Sequence, residues 1–206
     1  MSSAPPTRRL RPHCPRCDRP QPACVCHWTC PTDNQVPVLI LQHPQEQHHV
    51  KNSAGLLARG LAHCHREVGE VFDPAQLSDW IGPAQDAALL YPSTRLGPET
   101  SAQAAQVRKL VIIDATWRKS LRMLACNPLL QALPRLALQS TPTSRYFIRQ
   151  ARQAHQLSTL EACCQALAEL EGEPGRYQPL LAAFDGFVSE QARWMAGLPP
   201  NAPPVS

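Results

Sequence analysis

In LVIIDATWRKS, residues 110–120, an apolar run stops at a carboxylate and gives way to a tryptophan and a basic stretch. KLVII (109–113) is short and rich in β-branched residues, without polar alternation, as expected of a strand covered on both faces. From Trp117 onward, Leu121, Leu124 and Cys126 predict a helix that buries one side, with Arg118 and Arg122 on the other. Asp114 therefore stands where a strand hands over to a helix, and two roles suit it. Its carboxylate can cap the helix. Alternatively it lies in a pocket, between an aromatic face and a cationic rim, and takes a proton from a weakly acidic nucleophile. Trp117 has a matching pair of roles, as a core aromatic of the first helical turn or as a surface on which a base stacks. Arg118, Lys119 and Arg122 are suited to phosphates.

Working outward, VPVLILQHP (36–44) reads as an apolar strand stopped by His43-Pro44. Asn52 is placed to cap a helix in which Ala54, Leu57, Leu61 and Cys64 recur at helical spacing. A short strand is expected near EVFD (70–73), a third at AALLYPS (87–93) and one more at PRLALQS (134–140). Ser158 with Glu161 forms a capping-box pattern opening a helix striped by Leu160, Cys163, Cys164, Leu167 and Leu170. A final helix over about 176–196 is expected to bury Tyr177, Leu180, Leu181, Phe184, Phe187 and Val188. This alternation predicts an α/β fold with a mainly parallel sheet and helices on both faces. Ligands of such sheets sit beyond the carboxyl ends of the strands, where His43, Ser93 and Asp114 fall.

Among 206 residues the formal charge is +4, a mild excess that permits an RNA partner without requiring one. The sequence contains neither a membrane-span-length apolar run nor a secretory signal. Nine cysteines are an odd number, and Cys163 and Cys164 are adjacent, so metal thiolates in a reducing cytoplasm are expected rather than disulfides. Cys14-x2-Cys17 and Cys24-x-Cys26 offer four thiolates for one closed, structural zinc site, with Cys30 and His27 as substitute ligands. The chain divides into a tail (1–12), a zinc-binding segment (13–34), a catalytic domain (35–196) and a second tail (197–206).

Asp114-Ala115-Thr116-Trp117 resembles the Asp-x-Thr-Trp signature of the DTW-domain family, relatives of SPOUT-type RNA-modifying proteins. The paired cysteines, HPQEQ followed by NSAGLL, LYPS, SRYFIRQA and LSTLEA occur in the family's order. Asn52-Ser53 stands where Asn-Thr is expected, and an arginine frequent near His48–His49 is missing. The resemblance implies a SPOUT-like fold with a C-terminal trefoil knot and an activity similar to that of bacterial tRNA-uridine aminocarboxypropyltransferases. Such enzymes move the 3-amino-3-carboxypropyl group of S-adenosylmethionine onto N3 of a tRNA uridine, giving acp3U at position 47 and releasing 5′-methylthioadenosine. It further implies Asp114 as general base, with Thr116 and Trp117 completing the catalytic turn. The cofactor would be held by Tyr91, Pro92 and Ser93, by Asp114 and Ala115, and by Leu157, Ser158 and Thr159. Arg118, Lys119, Arg122, Arg145 and Arg149 would meet the RNA. The expected partner is tRNA, bound by a cytoplasmic monomer with no membrane or protein partner. A SPOUT RNA methyltransferase and a non-catalytic, zinc-stapled RNA-binding module are the alternatives.

Overall fold

The computed structural model describes residues 12–17, 19–21, 24–47, 49, 53–92, 106–138 and 157–197. Among the described residues five strands form one sheet: β1 (Val38–Gln42), β2 (Cys64–Val68), β3 (Ala87–Leu90), β4 (Lys109–Asp114) and β5 (Arg135–Leu136), in the order β2-β1-β4-β3-β5. Every pairing is parallel. The helices are α1 (Pro44–Gln47), α2 (Ala54–Gly60), α3 (Pro74–Ile81), α4 (Trp117–Cys126), α5 (Pro128–Ala132), α6 (Thr159–Glu171) and α7 (Gln178–Met195). Alternate residues of each central strand feed two separate cores. Val38, Ile40, Leu110 and Ile112 meet α2, α6 and α7, while Leu39, Leu41, Leu89 and Val111 meet α3, α4 and α5. This is the two-faced burial that an unalternating apolar run demands.

The connections locate the crevice. After β1 the chain crosses by α2 on one face to β2; after β4 it crosses by α4 and α5 on the opposite face to β5. Adjacent strands whose chains depart to opposite faces leave a gap at their carboxyl ends, the place where such sheets bind ligands. Here that gap lies between β1 and β4, whose last residues, Gln42 and Asp114, are paired in register.

Several sequence expectations need correction. Leu61 and Cys64 do not extend α2: Leu61 is its C-cap in extended conformation, and Cys64 opens β2, which ends at Val68 before EVFD begins. The N-cap position of α2 is Ser53, which makes no side-chain cap bond, and Asn52 lies outside the described residues. On α4 the buried residues are Ser120, Met123 and Leu124, whereas Cys126 is exposed. The α6 stripe holds, buried through Leu167 and partly buried at Leu170, and the capping box is formed in both directions, with Gly172 closing the helix in the left-handed region at φ 66°. The stretch 139–156, which includes SRYFIRQA, lies outside the described residues. No helix among the described residues is long and apolar enough to cross a membrane.

Candidate active site

Asp114 is buried at the end of β4, and both of its oxygens are engaged. Oδ2 accepts a hydrogen bond from Gln42 Nε2 at 2.8 Å. Oδ1 accepts one from Thr159 Oγ1 at 2.6 Å. Backbone closes the same point, with His43 N donating to Asp114 O at 3.0 Å. The N-cap position of α4 is Thr116, which makes no side-chain cap bond. The Thr159 bond ties the Asp114–Trp117 turn to the first turn of α6. The capping box frees Thr159 for this: Ser158 Oγ takes the Glu161 N–H, and Glu161 Oε2 takes the Ser158 N–H.

On the opposite face of β4, Tyr91 just past β3 stacks against Trp117, with ring centroids 5.4 Å apart and planes at 13°. The stack is anchored from below, because Tyr91 Oη bonds Ser120 Oγ at 2.8 Å and Ser120 Oγ donates to Trp117 O. Tyr91 is buried, and Trp117 is 55% exposed, so Trp117 is not a core aromatic. Burial pushes the Tyr91 hydroxyl above its ordinary range, which keeps it a neutral hydrogen-bonding group. Pro92 beside it is exposed, Ala115, Thr116 and Leu157 are half-buried, and Ser93 lies outside the described residues.

A polar rim surrounds this centre, and in it the sequence-marked His43, Lys119 and Arg122 meet Glu46, Glu70 and Asn127, which the sequence does not signal. His43 is buried; its Nδ1 accepts the Gln45 N–H, and its Nε2 is 2.9 Å from Glu70 Oε2. Glu70 also receives Arg122 Nε at 2.6 Å, and hydrogen bonding from His43, aided by Arg122, holds its carboxyl below the usual range. Asn127 fixes the loop carrying Glu70 by accepting from Phe72 N and donating to Glu70 O. Lys119 Nζ lies 2.7 Å from Glu46 Oε1. Two of the three cations expected to meet phosphate are thus paired with carboxylates, while Arg118 is exposed. Arg145 and Arg149 lie outside the described residues.

The four expected zinc ligands converge. The sulfurs of Cys14, Cys17, Cys24 and Cys26 all lie within 4.8 Å of one another, and the pairs 14–26 and 17–24 are 3.8 Å apart. Zn–S bonds of about 2.3 Å in a tetrahedron require sulfur separations of about 3.8 Å, so the set fits zinc. Backbone hydrogen bonds from Arg16 and Cys17 bring the Cys14 thiol down to about 6, whereas burial pushes the Cys24 and Cys26 thiols up. His27 is not in the group; it pairs with Glu190 on α7 at 2.9 Å. Four sulfurs around a zinc would leave no position open for catalysis, and such a site would brace its segment.

The family model for the DTW domain matches residues 11–192, nearly the whole chain. The chain belongs to the DTW domain family. This DTW protein is 34% identical over 192 residues to tRNA-uridine aminocarboxypropyltransferase 2 of Drosophila melanogaster, covering 88% of this chain and 74% of the relative. The protein of that name in Mus musculus is 28% identical over 190 residues, covering 88% of this chain and 64% of the relative. The one in Macaca fascicularis is 30% identical over 205 residues, with 90% and 65% covered. The chain thus spans less than two thirds of the length of the last two. These are animal proteins, so the likeness extends beyond bacterial members. No solved structure matches the DTW chain.

Proposed function

We propose that this DTW protein transfers the 3-amino-3-carboxypropyl group of S-adenosylmethionine to N3 of a tRNA uridine, releasing 5′-methylthioadenosine. The reaction class rests on family membership and on relatives named tRNA-uridine aminocarboxypropyltransferase over most of this chain. The observation that carries the mechanism is the buried Asp114 carboxylate at the β1–β4 crevice, clamped by Gln42 and Thr159 beside an exposed tryptophan. When bound, S-adenosylmethionine supplies a sulfonium whose sulfur departs as a neutral thioether. A uridine imide is a poor nucleophile until N3 loses its proton, and Asp114 is the group placed to accept it. Asp114 would hold the N3 proton while the departing thioether keeps the electron pair of the bond it leaves. Trp117 is the stacking surface for a base. The first turn of α6, around Thr159 and Leu160, presents backbone N–H groups suited to the methionyl carboxylate.

In this reading Tyr91, Pro92, Ser93, Ala115, Leu157 and Ser158 border the donor, and Arg118, with Lys119, Arg122, Arg145 and Arg149, meets the RNA. The chain divides into the zinc segment at 13–34 and a SPOUT-like, knotted catalytic domain at 35–196, acting as a cytoplasmic monomer. Incubation with unmodified tRNA and S-adenosylmethionine, followed by nucleoside mass analysis, tests the reaction. An aminocarboxypropyl gain on uridine with methylthioadenosine supports it; a methyl gain with S-adenosylhomocysteine makes the protein a methyltransferase, and no gain makes it a binding module. Asp114→Asn should keep the fold and donor binding while transfer falls about 10²–10⁴-fold. Its residual rate should climb with pH as hydroxide replaces the base. Near-normal turnover at neutral pH would remove Asp114 from the chemistry.

A further inference from the structure

We propose that Arg66 and Gln42 form a two-residue relay that orients Asp114, making Arg66 a positioning residue two strands away from the carboxylate it serves. The inference rests on the reading of Asp114 as the base. In register, Ile40 pairs with Arg66 across β1–β2, and Gln42 pairs with Asp114 across β1–β4. Paired residues of parallel strands project to the same face, and so do residues two apart on one strand. Arg66, Gln42 and Asp114 therefore share the α2–α6 face, on three neighbouring strands. Their contacts run in sequence, with Arg66 Nη1 donating to Gln42 Oε1 at 3.3 Å and Gln42 Nε2 donating to Asp114 Oδ2 at 2.8 Å.

The chemistry of each group fixes the direction of the chain. A guanidinium has only donors, so it must meet the oxygen of the Gln42 amide, and the NH₂ is then turned toward the carboxylate. A cation on the carbonyl also polarises the amide and strengthens its N–H bond to an anion. Packing alone gives Arg66 little reason to be here. A Cβ on Gly55 would lie 3.9 Å from Nη1, which sets the guanidinium under the first turn of α2. That end of a helix carries partial positive charge and disfavours a cation. The polar contact that rewards the placement is Gln42. With Thr159 holding the other oxygen, the carboxylate plane is fixed from both sides.

Other ionisable groups on the surrounding elements are His43 past β1, Glu70 on the loop after β2, Glu161 on α6, and the Glu46–Lys119 pair of α1 and α4. The test therefore compares variants at the two relay positions instead of relying on one pH profile. Single-turnover methylthioadenosine release would be followed against pH for wild type, Gln42→Leu, Arg66→Met, Arg66→Lys and Gln42→Leu/Arg66→Met. Loss of a donor to the ionised base should move the acid limb of Gln42→Leu to higher pH by roughly one unit. Arg66→Met should move it the same way by less, and Arg66→Lys should restore part of the shift. Because Arg66 acts through Gln42, the double variant should match Gln42→Leu alone. Additive losses, or limbs that stay in place while rates fall, would overturn the relay and leave Arg66 and Gln42 as packing residues. If wild type releases no methylthioadenosine, or Asp114→Asn keeps full turnover, the underlying function fails instead. Circular dichroism on each variant separates these results from misfolding, and the Lys substitution carries the test if Arg66→Met does not fold.

Discussion

At the scale of single residues, the Asp114 carboxylate is held by an amide on one oxygen and a hydroxyl on the other. Asp114, Trp117 and Thr159 stand out in the sequence, because a carboxylate ending an apolar strand and a capping box are local patterns. Gln42 does not, although it is the one polar residue in VLILQ and the strand buries all five positions. A lone amide at the end of a fully buried strand is a signal that its side chain has a polar partner across the sheet. Arg66 escapes a sequence reading because the expected strand, at EVFD, begins several residues after the real one. Arg135 is equally unmarked. It is buried at the start of β5, with Nη1 on Leu130 O and its guanidinium 5.6 Å from the Tyr91 centroid. Its Nε and Nη2 have no hydrogen-bond partner among the described residues. Buried donors left unpaired cost about 1–3 kcal/mol, more than a partly offsetting cation–π contact returns. Arg135→Met should accordingly hold or raise the thermal midpoint, by about 2–4 °C for each kcal/mol gained in a chain of this size. A clear fall in calorimetry would show the guanidinium to be a structural support.

At the scale of elements, what the sequence conveys well is whatever depends on periodicity within one segment, such as β4, α6 and α7. What it conveys poorly is where one period gives way to another. Ala54, Leu57, Leu61 and Cys64 are consistent with helical spacing, yet α2 stops at Gly60. Glycine there allows a close approach: a Cβ would meet Leu180 of α7 at 2.7 Å and Cys30 O at 3.1 Å. Tertiary packing sets the boundary, and local spacing carries no trace of it. The same holds for α7, where Trp28 of the cysteine segment lies across Gly186 and donates Nε1–H to Glu190. A Cβ on residue 186 would come within 2.0 Å of the Trp28 ring. Gly186→Ala should therefore destabilise the protein by about 1–3 kcal/mol despite the better helix propensity of alanine. Pairing it with Trp28→Leu should recover part of the loss in thermal unfolding. Unchanged stability in the single variant would mean that the ring is free to swing away.

At the scale of the whole molecule, the cysteine segment is a brace on α7 and not a free appendage. Val25 enters the same core as Phe184 and Phe187, and the Arg19 guanidinium lies 5.6 Å from the Phe187 centroid. Elemental analysis should find one zinc per chain, Cys17→Ser should lose it, and activity should fall only as far as the segment loosens. Full zinc retention in that variant would move the ligand set elsewhere. Binding of tRNA should weaken with salt, and Arg118→Ala with Arg122→Ala should flatten the log–log slope by about 0.7–0.9 for each phosphate no longer neutralised. An unaltered slope would put the RNA on another face. The all-parallel sheet has a last consequence, for folding kinetics. Gln42 and Asp114 are 72 residues apart in the chain, and Asp114 and Thr159 are 45 apart. No hairpin is available to bring β1 and β4 together early, and folding slows as pairings become more distant in sequence. The clamp around the carboxylate closes only when three remote stretches have met. No fragment shorter than Gln42 to Thr159 contains the clamp.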